Sequence, residues 1–70
     1  MNYYTVNLVD KRVNVSLTYL ITAVSGDLAV ERAKVQASRD AGLPLEVRDD
    51  VFSVSGVECT GKEVERWRGG

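Results

Sequence analysis

The sequence predicts an α+β domain: an antiparallel sheet of three to four strands in ββαβ(β) order, with one main helix packed on one face and a short C-terminal helix as an option at the end. Three observations carry this reading. Apolar residues alternate with polar ones through Tyr4, Val6 and Leu8 and again from Val13 to Ala23, the period of two of half-buried strands. An alanine-rich stretch is bracketed by a helix start at Ser25 and a helix stop at Gly42-Leu43-Pro44. A third apolar run, from Val51 to Cys59, follows it.

In chain order, Asn2 to Val9 reads as the first strand, and Asp10-Lys11-Arg12 interrupts it. Val13, Val15, Leu17, Tyr19, Ile21 and Ala23 then alternate with polar partners, in the β-branched and aromatic types that strands favour. The two runs form a hairpin whose turn lacks an Asn-Gly or Asp-Gly signal, so its register stays open. Ser25-Gly26-Asp27 caps the helix, because a side-chain oxygen accepts from the free first-turn amides and Asp27 favours the positive dipole end. Gly42 supplies a left-handed C-cap, Leu43 folds back on the last turn and Pro44 prevents continuation. At about 100° per residue, Ala29, Val30, Ala33, Ala37 and Ala41 share one face, and their small side chains let the helix axis approach the sheet. After Pro44, Leu45 to Arg48 reads as a short strand, Asp49-Asp50 as a turn and Val51 to Cys59 as a longer strand in which Gly56 marks a bulge or close approach. Thr60-Gly61-Lys62-Glu63 matches a capping box that would start a final helix carrying Val64 and Trp67 on one face, with an extended arm as the alternative.

Seventy residues make one domain whose core supplies roughly 3–5 kcal/mol unless something staples it. The single cysteine, Cys59, cannot form an internal disulfide, and a chain without histidine lacks the usual zinc sites and Cys/His nucleophiles. These features suit a reducing cytoplasm, and neither a membrane-length apolar run nor an export-type N-terminus is present. Nine basic and ten acidic residues give a net charge of −1 with no long block of one sign, which disfavours direct nucleic-acid binding and favours a protein partner.

No residue set points to catalysis, a metal or a cofactor. Asp49, Asp50 and Glu58 could be imagined as an acid/base or cation site, but adjacent residues on a strand or turn diverge, and a solvated turn is the expectation. Cys59 needs a base or helix terminus to become reactive, so a packed or inert thiol is expected. Gly26 is isolated, without the second glycine or lysine of a phosphate loop. Tyr3, Tyr19 and Trp67 could stack bases, but with no basic face around them they read as core or rim aromatics.

The helix leaves one anomaly. Leu28, Arg32, Val35 and Arg39 form a stripe nearly opposite the alanine face, apolar residues one heptad apart beside arginines, as protein interfaces tend to show. Either Val64 and Trp67 fold over this stripe or another molecule does. Partner binding is therefore assigned to Leu28, Arg32, Val35 and Arg39, with Tyr3 and Trp67 as exposed aromatic contacts.

Val15-Ser16-Leu17-Thr18-Tyr19, leading to Ala23-Val24-Ser25 and then a helix of regularly spaced alanines, resembles the small ββαβ accessory proteins of phages and mobile elements, over about four fifths of the chain. That resemblance implies a non-enzymatic inhibitor that occupies a surface of a host protein complex, either a CRISPR effector (an anti-CRISPR protein) or RNA polymerase. It transfers no binding residue by motif. A homo-oligomeric accessory module, in which Leu28 and Val35 meet their symmetry mates, is the alternative. Ala33-Lys34-Val35-Gln36, Gly42-Leu43-Pro44 and the terminal Arg68-Gly69-Gly70 are also similar to the helix and tail of ubiquitin-like proteins, implying a Gly-Gly carrier. In that family a strand leads straight into the tail, whereas Glu63 to Arg68 reads here as helical.

Overall fold

The alternation of the first two runs forms a hairpin, β1 (Asn2–Asp10) and β2 (Val15–Ala23), in unbroken antiparallel register from Asn2 opposite Ala23 to Asp10 opposite Val15. The computed structural model describes residues 1–62. The hairpin reverses through four residues, the last of which, Asn14, has a φ of 55°. Asparagine tolerates that left-handed region better than most residues, which is how the turn forms without a glycine.

Asp10 and Arg12 fix the start of this turn. The Arg12 guanidinium donates to both Asp10 carboxylate oxygens, at 3.1 and 2.8 Å, and the Arg12 backbone N–H donates to one of them at 3.0 Å. The hydrogen bonds from Arg12 hold the Asp10 carboxyl below the usual carboxylate range, against the opposing effect of desolvation. A carboxyl with a depressed folded-state pKa stabilises the fold above its unfolded pKa of about 3.9 and loses that contribution as pH falls through the lower folded value. Asp10→Asn should therefore lower the urea midpoint at neutral pH, and the gap from wild type should close on acidification. A gap independent of pH would show that the charge is not what Asp10 contributes.

The helix α1 (Gly26–Ala41) begins and ends as its caps dictate. Ser25 Oγ accepts from the Leu28 backbone N–H, and Asp27 lies in the first turn. At the other end Gly42 is left-handed at φ 70°, and the Leu43 N–H donates to the Ser38 carbonyl at 2.9 Å, closing the last turn. Ala29, Ala33 and Ala37 are buried against the sheet together with Tyr4, Val6, Leu8, Ala23 and Phe52. Ala41, expected on the same face, is exposed, because it is the last helical residue before the chain turns away at Gly42.

The segment after Pro44 departs from expectation. Leu45–Val47 is a turn of 3₁₀ helix and Arg48–Val51 a one-turn helix, α2, in place of a short strand and an Asp49-Asp50 turn. Arg48 donates to Glu31 of α1 at 2.6 Å and to the Leu45 carbonyl three residues back at 2.8 Å, and Lys34 of α1 pairs with Asp49 at 2.9 Å. These bonds seat α2 along one flank of α1. Ser38, buried with its hydroxyl unpartnered, lies towards the same flank of the helix.

The strand β3 (Phe52–Lys62) pairs antiparallel with β1, so the sheet order is β2-β1-β3 and the connection through α1 crosses over the central strand. Three strands form the sheet among the described residues, the lower end of the predicted range. Two register shifts interrupt the β1–β3 ladder, one beside Gly56 as anticipated. At each shift an extra hydroxyl residue bonds a β1 carbonyl: Ser55 to Asn7 and Thr60 to Tyr3, both at 3.3 Å. Thr60 therefore lies within a strand and does not cap a helix. The remainder of the predicted final helix, with Val64 and Trp67, lies outside the described residues.

Candidate functional site: a groove between β2 and the open flank of the helix

Because α2 covers one flank of α1, the other flank is left over β2. That flank carries the Leu28, Arg32, Val35 and Arg39 stripe. The structure brings Arg32, Val35 and Arg39 together with Leu20, Ile21 and Thr22 of β2 around an open groove of about 430 Å³. Three of the four stripe residues thus overhang the sheet edge, although the helical wheel alone puts the stripe nearly opposite the core.

Arg32 sets this geometry. Its Nη1 donates to the Thr22 carbonyl oxygen at 2.6 Å, so the helix grips the outer edge of β2. Glu31 also borders the groove, but its carboxylate is paired with Arg48. At the far end the Asp40 carboxylate accepts from Tyr19 Oη at 3.2 Å and from Gln36 Nε2 at 3.0 Å. Burial, with a smaller effect of Asp40, raises the Tyr19 phenol above its ordinary pKa, so this donor stays protonated. Among the described residues neither Arg32 nor Arg39 has a carboxylate partner.

A second groove, of about 380 Å³, shares Leu20, Ile21 and Thr22 with the first and adds Tyr3, Tyr4 and Thr60. Tyr3 therefore belongs to the same neighbourhood, on the other side of the β2 edge. Leu28 is partly exposed but lines neither groove. Trp67 lies outside the described residues, as does the Arg68-Gly69-Gly70 tail.

The groups weighed for chemistry stay apart. Asp49 is held ionised by Lys34, whose hydrogen bond lowers its pKa, and its own side chain is largely exposed while that of Lys34 is mostly covered. Glu58 sits on β3 opposite Thr5. Cys59 is exposed, donating weakly to the Gly61 carbonyl at 3.7 Å, so of the packed or inert thiol expected the packed alternative does not hold. Among the described residues no three His, Cys, Asp or Glu side chains converge as a metal site would require. No helix among them is long and apolar enough to cross a membrane.

Sequence reasoning missed the half of the groove that β2 supplies. A signal was present: the nine residues VSLTYLITA contain no charge and no proline, the devices with which exposed strand edges are usually guarded. Neither a known protein family, nor a curated protein, nor a solved structure matches this chain.

Proposed function

We propose that this chain is a non-catalytic protein-binding domain that seats a partner on the groove between β2 and the Arg32, Val35 and Arg39 flank of α1. The observation that supports this reading is the convergence of three stripe residues with a half-buried strand edge, where Leu20 is 81% exposed. Exposed apolar side chains beside arginines, at a concave edge, are what interfaces concentrate.

In its specific form the proposal is a phage-derived inhibitor acting in the host cytoplasm on a host protein complex, with a CRISPR effector first and RNA polymerase second. It draws on the resemblance of the ββαβ pattern to phage accessory proteins. Purified chain should suppress DNA cleavage by a CRISPR effector, or transcription by RNA polymerase, at near-equal molar ratio. Val35→Glu should weaken that inhibition at least about tenfold by placing a charge at the interface centre, while circular dichroism stays unchanged. No inhibition of either enzyme, with no defence or transcription complex recovered by pull-down at low salt, would remove the proposal.

The uncharged β2 edge favours one second reading, self-association of two copies edge to edge. Light scattering across a dilution series separates the two, since a strict monomer at tens of micromolar is incompatible with a functional homodimer of ordinary strength.

A further inference from the structure

The direction of the β2 backbone groups follows from three hydrogen bonds. The Thr22 carbonyl points away from β1, since Arg32 reaches it from the helix side. The Tyr3 and Asn7 carbonyls point towards β3, since Thr60 and Ser55 bond them there. Tyr3 faces Thr22 and Asn7 faces Thr18 in the ladder, so neither pair exchanges backbone hydrogen bonds. The N–H and C=O groups of Ser16, Thr18, Leu20 and Thr22 therefore all face outward along the free edge of the sheet. Arg32 occupies the last carbonyl, and among the described residues nothing bonds the others.

The two free edges of this sheet are unlike. On β3 two bulges distort the ladder and Glu58 adds a charge, both of which discourage further pairing. β2 is regular over nine residues and carries neither device. It is also flanked by grooves on both sides, the Val35 groove towards the helix and the Tyr3 groove beyond it, which share Leu20 to Thr22. A strand added to β2 would send alternate side chains into one groove and then the other.

We infer that the domain binds by strand addition, taking an extended acidic segment of a partner protein onto the Thr18–Leu20 edge of β2, with its carboxylates towards Arg32 and Arg39. This rests on the protein-binding reading above and specifies its mode and ligand chemistry. Charge decides the occupant. The two guanidiniums over the groove lack carboxylate partners among the described residues, while Glu31 is engaged by Arg48. A second copy of β2 brings no acidic side chain to them. Arg32 and Arg39 lie about 10.5 Å apart along the helix, with Val35 between them. Same-side residues of a strand repeat every 6.7 Å or so, so acidic residues at i and i+4 span about 13 Å. Arginine reach closes the difference, and the residue at i+2 falls over Val35. The recognised pattern is acidic-x-apolar-x-acidic.

The test uses the full chain with two capped synthetic peptides, one built on Asp-Thr-Val-Thr-Asp and one on Lys-Thr-Val-Thr-Lys, followed by amide hydrogen exchange. At about ten times the dissociation constant, exchange at Thr18 and Leu20 should slow about tenfold with the acidic peptide, because only about a tenth of the chains remain free. Tyr19 and Ile21, already paired with β1, should change little. The acidic peptide should bind at least about tenfold tighter than the basic one, and Arg39→Glu should remove that preference. Thr18→Pro deletes one outward N–H at an edge position where proline is tolerated, and should abolish binding with the sheet intact. Should Thr18→Pro fail to fold, the exchange pattern and Arg39→Glu still decide. Equal binding of both peptides, protection elsewhere, or no protection up to about 1 mM overturns the inference. Protection of the same amides that grows with chain concentration alone assigns the edge to a second copy and also overturns it. The binding reading fails separately, by the absence of inhibition and of a recovered complex. An inhibition lost in Val35→Glu but kept in Thr18→Pro would retain that reading and reject strand addition.

Discussion

Phe52→Ala is expected to leave much of the chain unfolded at room temperature without denaturant. Among the described residues Phe52 is the largest fully buried side chain, 1% exposed, and it packs in one cluster with Leu8 and Val6 where β3 leaves α2. Truncating a buried phenylalanine costs about 3–5 kcal/mol through lost transfer energy and the residual cavity. A domain of this size holds roughly 3–5 kcal/mol in all. The two quantities are comparable, so the native fraction should fall steeply, seen as lost near-ultraviolet dichroism and a urea transition without a native baseline. Leu20→Ala, at an exposed position, should shift stability by less than about 0.5 kcal/mol. If both variants unfolded alike, the core would not be where the structure puts it.

Ala33→Leu is expected to destabilise the protein by about 1–3 kcal/mol or more, although leucine is itself a good helix former. Ala33 is 0% exposed between Ala29 and Ala37, and its methyl group sets how closely α1 lies on the sheet. Three additional carbon atoms there must either push the helix off the sheet or force strained rotamers. In a domain of this length that is a fall in melting temperature of about 4–24 °C. The same substitution at Ala41, which is exposed, should move it by only a few degrees. Equal losses at both positions would contradict the close packing.

These predictions rest on elements that the sequence specified well. The hairpin was legible because polar and apolar residues alternate over both arms, and a shift of one position would turn Tyr4, Val6 and Leu8 out to solvent. The helix was legible at both ends because Ser25 and Gly42 act through their own backbone neighbourhoods. Leu45 to Val51 was not legible. Leu45 and Val47 suit a strand as well as a helix, and the contacts that tie the segment to α1, through Glu31 and Lys34, come from residues distant in sequence. The stripe of Leu28, Arg32, Val35 and Arg39 could be named from helical periodicity, but not what it faces.

By itself, then, the sequence determined the α+β class, the limits of α1, its alanine face and the absence of histidine, because these depend on local periodicity, capping and composition. Tertiary structure alone decided that α2 covers one flank of the helix and β2 lies beneath the other, because both follow from long-range pairing that no local pattern encodes. That placement converts three residues of a stripe into one wall of a groove, and it leaves the unguarded edge of β2 as the other.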